Sequence, residues 1–215
     1  MKGQSLRQEA KKIIIGLTGS FGSGKTTVSK MLRSFGAQII DADSIARITL
    51  NPNTKIYTRI IKRFGTGILK KNKTIDRVKL GELVFNNKNL LNRLNKIVHP
   101  EVIRIIKNKI KNSSSCVIVL DAPLLIEAGL TRMVDKLIVV KTEQKKQIRR
   151  IQAKFHLGKS DILKRVKAQI PLSDKVRFAD FVIDNSATLQ ETRVQVLDIW
   201  KKLVTRPVKQ QCRSH

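Results

Sequence analysis

The sequence contains little cysteine, few aromatic residues and no long apolar run. Its 215 residues include two distant cysteines, Cys116 and Cys212, and aromatic side chains make up 4%. This spacing argues against a disulfide framework or a cysteine metal site, so we expect Cys116 to be a small buried apolar residue in a reducing compartment. No run approaches the roughly 20 apolar residues that a membrane-spanning helix needs, and residues 1–11 do not resemble a secretory signal. The composition therefore predicts a cytoplasmic protein without a membrane segment.

Acidic residues are also scarce. The chain has 44 lysines and arginines against 16 aspartates and glutamates, which gives a formal net charge of +28. A nucleic-acid partner would explain such a charge and would predict tight binding that weakens steeply with salt. However, the basic residues are spread along the whole chain and few aromatic residues are available to stack on bases. We therefore favour an anionic small-molecule substrate and no specific nucleic acid, with a nucleic-acid-binding protein as the alternative.

A phosphate-binding loop is the strongest motif in the chain. Residues 19–26 read Gly-Ser-Phe-Gly-Ser-Gly-Lys-Thr; an apolar strand pattern precedes them and an amphipathic helix pattern follows. The glycines allow the backbone to turn tightly and to approach phosphate oxygens, Lys25 would reach the β- and γ-phosphates, and the Thr26 hydroxyl would bind Mg²⁺. The residues predicted to bind ATP through this loop are Gly19, Ser20, Phe21, Gly22, Ser23, Gly24, Lys25, Thr26 and Thr27.

Further apolar runs predict an α/β fold with a central parallel five-stranded sheet. Between the second and third strands lies a helical insertion, in which His99-Pro100 should end one helix and begin the next. We assign the chain to a nucleotide-binding core (12–50, 113–142 and 179–204), a helical acceptor-substrate domain (51–112), a lid region (143–178) and flexible termini (1–11 and 205–215).

Three aspartates follow predicted strands. Asp121 ends the third strand, where an acidic group of phosphate-loop proteins holds Mg²⁺; the structural alternative is a cap for the next turn. Asp41 and Asp43 occupy alternate positions at the end of the second strand, so we expect them to point the same way. Either could accept a proton from an attacking hydroxyl, although both could simply form a turn. We prefer Asp43, because the helix that follows it would place Arg47 nearby.

The segment between residues 145 and 167 is basic and helical. In small kinases such a segment is often a lid whose cations neutralise charge on the transferred phosphoryl group. Most of these side chains should be solvated, and we select Arg150 and Lys154 as candidates for direct action.

In these residues the chain resembles the dephospho-coenzyme A kinase family, from about residue 13 to residue 203. The resemblance rests on an ordered series of short motifs: Gly16 to Lys25, Ile40 to Asp43 with Ala46-Arg47, Leu80-Gly81, Val84-Phe85, Val98 to Val102, Asp121 to Glu127, Gln147 with Arg150, Arg165 with Gln169, and Ala179 to Asn185. It implies a P-loop kinase fold that transfers the γ-phosphoryl group of ATP to the ribose 3′-hydroxyl of dephospho-coenzyme A, in the last step of coenzyme A synthesis.

The resemblance also implies roles for single residues. Asp43 matches the proposed base, Asn185 lies where the adenine of ATP is held, and His99 belongs to the acceptor site. The residues expected to bind the acceptor are Asp43, Arg47, His99 and Lys154, and the enzyme would be a monomer or a weak homo-oligomer.

This sequence departs from the family pattern at four places: Phe21 in the loop, Lys154 in the lid, Asn72-Lys73 in a turn, and Ser186 after Asn185. Lysine at position 154 lacks the bidentate fork of an arginine. A kinase for a nucleoside monophosphate or a sugar acid is the nearest rival, against which Asp41-Ala42-Asp43 and His99-Pro100 argue. A GTPase would need an Asn-Lys-x-Asp motif, and Asn95-Lys96-Ile97-Val98 lacks its aspartate.

Overall fold

The computed structural model describes residues 12–85, 87–155, 158, 162, 166 and 169–204. Its centre is a five-stranded parallel sheet, which confirms the predicted α/β fold. The strands are β1 (Ile13–Gly19), β2 (Gln38–Asp41), β3 (Val117–Asp121), β4 (Lys136–Lys141) and β5 (Phe181–Asp184). Their order across the sheet is β2-β3-β1-β4-β5, so β1, which leads into the phosphate-binding loop, lies in the middle.

Helices occupy most of the remaining described residues. They are α1 (Lys25–Ser34), α2 (Ala42–Thr49), α3 (Lys55–Phe64), α4 (Arg77–Phe85), α5 (Lys88–Lys111), α6 (Gln144–Phe155), α7 (Leu172–Arg177) and α8 (Leu189–Val204). Short 3₁₀ turns lie at Thr66–Ile68 and Leu130–Met133. Among the described helices, none is both long and apolar enough to cross a membrane.

The chain forms two compact units. The first contains residues up to Ile40 and from Ser114 onward, and the second contains Asp41–Ser113. The sequence-based assignment placed residues 41–50 with the nucleotide-binding core, whereas the structure includes them in the second unit. The reason is local packing, because α2 lies against α5.

The core of the first unit is formed by the strands and the helices that cover them. Strand β3 is buried along its whole length, as its uninterrupted apolar run predicts. Around it the core consists of Ile15, Leu17, Val28, Met31, Leu32, Ala37, Val117, Val119, Ile138, Val140, Ile183, Val196, Ile199 and Leu203. Cys116, just before β3, is half-buried and disulfide-bonded. This corrects the expectation of a small, fully buried apolar residue.

The second unit has its own hydrophobic core. The structure also shows that the predicted helix break at His99-Pro100 was wrong. Helix α5 runs for 24 residues with Pro100 inside it. A proline in a helix interior costs about 3 kcal/mol, because it removes one backbone hydrogen bond and crowds the preceding turn. Burial outweighs this cost: Ile97 and Val98 pack on the core before the proline, and Val102 and Ile106 are buried after it.

A tight turn in the second unit contains one of the departures from the family pattern. The antiparallel bridge between Leu69 and Ile75 closes the turn, and the Asn72 side chain accepts hydrogen bonds from the backbone and hydroxyl of Thr74, at 3.2 and 2.6 Å. Lys73 has a φ angle of 61°, in the left-handed region. A residue with a Cβ is strained there by about 1–2 kcal/mol, whereas glycine is not.

We therefore predict that Lys73→Gly stabilises the protein by about 1 kcal/mol, once the extra entropy of glycine in the unfolded chain is subtracted. Denaturant unfolding would measure the change. Lys71→Gly is the matched control, since Lys71 lies in the same turn without a positive φ, and it should stabilise nothing. An equal or larger gain from Lys71→Gly would contradict the explanation.

Candidate functional site

The phosphate-binding loop connects β1 to α1 at the C-terminal edge of the sheet. Gly22 and Gly24 have φ angles of 80° and 89°, and Gly24 is the N-cap residue of α1. A Cβ on Gly22 would collide with the Ile151 side chain, and one on Gly24 would collide with the amide of Asn185. Glycine is therefore required at both positions for two reasons: the backbone has a positive φ angle, and neighbouring side chains leave no room for a Cβ.

Lys25 and Asp121 form an ion pair at this edge. Lys25 is the first residue of α1, Asp121 is the last residue of β3, and the Lys25 Nζ atom contacts the Asp121 Oδ1 atom. Their side chains are only 16% and 10% exposed. The pairing follows from the topology, because β1 and β3 are neighbours with Leu17 opposite Asp121. The structure thus brings together two of the residues predicted to act on ATP and Mg²⁺.

Asn185 joins the loop to the far end of the sheet. It follows β5, is 4% exposed, and donates from its side-chain nitrogen to the Ser23 carbonyl at 2.9 Å. Its side-chain oxygen accepts a hydrogen bond from the Thr192 hydroxyl at 3.0 Å. The Asn185 amide therefore holds the loop and is itself held by α8. Thr192 was not selected from the sequence, because a threonine inside a helix carries no distinctive signal.

Helix α6 covers the outer side of the loop. Gln147, Arg150 and Ile151 share one face of it, and Gln147 donates to the Phe21 carbonyl at 2.5 Å. Ile151 closes over Gly22, and Arg150 contacts the Thr142 hydroxyl at 3.5 Å. Beside this face is a pocket lined by Gly24, Thr27, Arg150, Asn185, Ala187 and Leu189. The structure thus places predicted loop residues, Arg150 and Asn185 around one cavity.

Ser186, one of the departures from the family pattern, fixes the start of α6. Its hydroxyl accepts a hydrogen bond from the Glu143 backbone at 2.8 Å, and its carbonyl contacts the Lys146 Nζ atom. Hydrogen bonds from Ser186 are also the main reason why the pKa of Asp184 is lowered, outweighing burial, and Lys141 lowers it further. Serine at this position therefore has a structural explanation.

The segment after β3 is held by a buried lysine. Lys175, fully buried in α7, donates to the Pro123 carbonyl at 2.8 Å and pairs with Glu127 at 2.9 Å. The Thr18 hydroxyl donates to the same Pro123 carbonyl at 2.9 Å. These contacts fix the chain directly after Asp121. Sequence reasoning missed Lys175, since nothing in its neighbourhood marks it as a buried cation.

Asp41 and Asp43 differ in role. Asp41 caps α2, because its side chain accepts hydrogen bonds from the Ser44 backbone and hydroxyl at 3.0 and 2.7 Å. Asp43 lies exposed in the first turn of α2. The expectation that both aspartates occupy alternate positions of the second strand was wrong, because β2 ends at Asp41 and the chain becomes helical at Ala42. The structure thus gives Asp41 a role as the N-cap of α2.

Arg47 and His99, two further residues predicted to bind the acceptor, lie on different helices of the second unit. Arg47 is exposed in the last turn of α2, and His99 is half-buried in α5. Burial lowers the pKa of His99 below its ordinary value, so this side chain is neutral at pH 7. The side chain of Lys154 lies outside the described residues.

The loop has the chemistry to hold a phosphate group with a metal ion. Helix α1 begins with backbone N–H groups that have no acceptor within the helix. The Ser23 hydroxyl is buried and, among the described atoms, has no hydrogen-bond partner. Thr26 is exposed beside Lys25, and Asp121 supplies a carboxylate. Hydroxyl and carboxylate oxygens are suitable ligands for Mg²⁺.

Comparisons with known proteins agree on one family. A sequence model of the dephospho-CoA kinase family matches residues 13–191. A dephospho-CoA kinase from Carboxydothermus hydrogenoformans is 47% identical over 192 residues, which cover 88% of this chain and 93% of that protein.

Two solved structures superpose on most of this chain, and one of them is named as a dephospho-CoA kinase. A Thermus thermophilus protein superposes with a TM-score of 0.82 at 30% identity, covering 90% of this chain and 98% of that one. A dephospho-CoA kinase from Campylobacter jejuni superposes with a TM-score of 0.66 at 29% identity, covering 89% and 97%. The chain belongs to the dephospho-CoA kinase family, ATP-dependent phosphotransferases that act on an alcohol group in the final step of coenzyme A biosynthesis.

Proposed function

We propose that the chain performs this reaction with the residues around the phosphate-binding loop, transferring the γ-phosphoryl group of ATP to the ribose 3′-hydroxyl of dephospho-coenzyme A. The observation that carries the proposal is the Lys25–Asp121 pair beside the loop, in a chain of this family. Incubation with ATP, Mg²⁺ and alternative acceptors tests it. Dephospho-coenzyme A should be phosphorylated, whereas preferential use of a nucleoside monophosphate or a sugar acid would contradict the proposal.

The loop would hold ATP by its phosphates. The backbone N–H groups of Gly22 and of residues 24–26, with the positive end of α1, would attract the phosphate oxygens, and Lys25 would neutralise the β- and γ-phosphates. The adenosine part would lie in the pocket lined by Thr27, Asn185 and Leu189. Ser20, Phe21 and Ser23 shape the loop around Gly19, where a Cβ would lie 2.5 Å from the Val140 carbonyl.

Mg²⁺ would be held by the Thr26 hydroxyl and, directly or through water, by Asp121. When bound, the ion neutralises charge on the β- and γ-phosphate oxygens. Asp121 would also orient Lys25, because the ion pair between them holds the Lys25 side chain at the C-terminal edge of the sheet. Arg150, which borders the pocket beside Gly24, would stabilise charge on the transferred group.

The acceptor would be oriented mainly by the second unit. Asp43 accepts the proton of the 3′-hydroxyl as that oxygen bonds to the γ-phosphorus and the bond to the ADP oxygen breaks. Arg47 and Lys154 would bind anionic groups of the acceptor. His99, neutral at pH 7, would bind by hydrogen bonding and not as a cation. The loose transition state of phosphoryl transfer requires little more from the protein than this positioning.

The proposal extends to the cellular setting. We expect a monomer or weak homo-oligomer that works in the cytoplasm, with ATP and dephospho-coenzyme A as partners and no specific nucleic acid. The helical unit would bind the acceptor, and the region 143–178 would act as a lid.

For Lys25 we predict that Lys25→Met lowers kcat/KM by at least about 10²-fold, the typical effect of removing one electrostatic stabiliser. Methionine keeps most of the apolar stem, so the fold should survive. The substitution also leaves Asp121 unpaired, which should cost about 1–3 kcal/mol of unfolding free energy. Asp121→Asn added to Lys25→Met should recover part of this stability but no activity. Near-normal turnover of a folded Lys25→Met variant would contradict the proposed role of the phosphate-binding loop in catalysis.

For Asp43 we predict that Asp43→Asn lowers kcat by about 10²–10⁴-fold while the dissociation constant of ATP changes little, because the group acts on the acceptor hydroxyl. Asp41→Asn is a matched control two residues away. Asparagine caps a helix as well as aspartate does, so this variant should keep both fold and activity. The assignment fails if Asp41→Asn is inactive and Asp43→Asn is not.

For His99 we predict a pH-dependent contribution to stability. Burial lowers its pKa in the folded state, so the unfolded chain binds more protons as the pH falls below about 6.5. His99 therefore lowers the free energy of unfolding between pH 6.5 and its folded pKa, and His99→Gln should lose less stability on acidification. Urea unfolding at pH 7.5, 6.5 and 5.5 measures the difference. A folded-state pKa of 6.5 or above, determined by NMR titration, would rule this out.

A further inference from the structure

Two glutamine side chains form hydrogen bonds with the backbone of Phe21 in the phosphate-binding loop. The Phe21 N–H group donates to the Gln169 side-chain oxygen at 3.0 Å, and the Phe21 carbonyl accepts from the Gln147 side-chain nitrogen at 2.5 Å. Gln147 lies in α6 and is only 6% exposed, and Gln169 precedes α7. Both glutamines and the loop belong to the first unit. Residues distant in sequence thus converge on the two peptide groups that flank the Cα atom of Phe21 in the phosphate-binding loop.

This convergence matters because a short loop has no regular ladder of hydrogen bonds. Within the loop, the Ser23 N–H group bonds to the Ser20 carbonyl at 3.0 Å, which turns the chain around Phe21. At its other end the Asn185 amide holds the Ser23 carbonyl. The orientation of the peptide units between Ser20 and Ser23 decides the direction in which their N–H groups point. Phosphate binding depends on that direction.

The same side of α6 connects the glutamine to residues of the pocket. Ile151, four residues after Gln147, is 1% exposed and fills the space beside Gly22. Arg150 lies between them on this face and borders the pocket. A displacement of Gln147 from Phe21 would therefore move the wall of the pocket as well as the loop.

We infer that Gln147 and Gln169 are positioning residues, which hold the phosphate-binding loop in the conformation that binds the phosphates of ATP. The inference rests on the proposed role of the loop in binding ATP. It gives a function to the two glutamines that contact neither reacting group, and it explains why amides occupy these positions. Position 147 requires a donor toward a carbonyl, whereas position 169 requires an acceptor toward an N–H group.

The difference in polarity allows a matched test with one substitution at two positions. Gln169→Glu keeps an oxygen that accepts from the Phe21 N–H group. Gln147→Glu instead directs a carboxylate oxygen at the Phe21 carbonyl, which leaves that carbonyl unpaired and adds repulsion. Both variants add the same charge next to the same residue, so any effect of charge alone is common to both. Gln152→Glu adds this charge to an exposed position of α6 and serves as the control.

The experiment measures kcat, the KM values of ATP and dephospho-coenzyme A, and the dissociation constant of ADP by calorimetry. Gln147→Glu should raise KM for ATP and the dissociation constant of ADP by about tenfold or more, the factor that corresponds to about 1.4 kcal/mol. The KM of dephospho-coenzyme A should stay within about twofold. Gln169→Met should weaken ADP binding, and Gln169→Glu should bind ADP more tightly than Gln169→Met does. Gln152→Glu should resemble the unmodified protein.

Other outcomes overturn the inference. Equal weakening by Gln147→Glu and Gln169→Glu would assign the effect to charge. A loss of thermal stability with unchanged nucleotide constants would assign both glutamines to folding alone. If Gln147→Glu does not fold, Gln147→Met and the two variants at position 169 still decide the question, and normal ADP binding in Gln147→Met and Gln169→Met refutes the positioning role. Inactive Lys25→Met beside unaffected glutamine variants would reject this inference while the proposed function stands.

Discussion

A phosphate-binding loop binds phosphate only if its backbone N–H groups keep their orientation. In this protein, side chains from outside the loop hold the loop backbone in place. The Asn185 amide holds the Ser23 carbonyl, and the Gln147 amide holds the Phe21 carbonyl. Because Asn185 lies so close to Gly24 and Ile151 of α6 so close to Gly22, neither glycine can carry a Cβ. The glycine pattern in the sequence is therefore a consequence of how α6 and the residue after β5 pack on the loop.

The same constraint organises the chemistry around the loop. Lys25 emerges from the fixed start of α1 and meets Asp121 at the end of the neighbouring strand. The buried Lys175 then holds the chain that follows Asp121. Each charged group thus depends on backbone that other parts of the first unit fix in place, so little reorganisation is needed when charge develops on a transferred phosphoryl group.

The strands and the loop motif could be predicted from the sequence because they depend on local patterns. The β3 run from Val117 to Asp121 is apolar throughout, and a parallel strand buried on both faces requires such a run. The helix break at Pro100 was predicted from an equally local rule, and it failed because packing on both sides of the proline outweighs the lost hydrogen bond. The contacts of Gln147 and Asn185 with the loop join residues 126 and 162 positions apart, and no periodicity in the sequence encodes such pairs.

The most direct test of this account is a crystal structure of the chain with Mg²⁺ and a non-hydrolysable ATP analogue. The account predicts that the phosphates lie on the backbone N–H groups of the loop, that Lys25 contacts the β- and γ-phosphates, and that Phe21 keeps both of its glutamine partners. Phosphates bound elsewhere, or bound to a loop that has released Phe21 from Gln147 and Gln169, would contradict it.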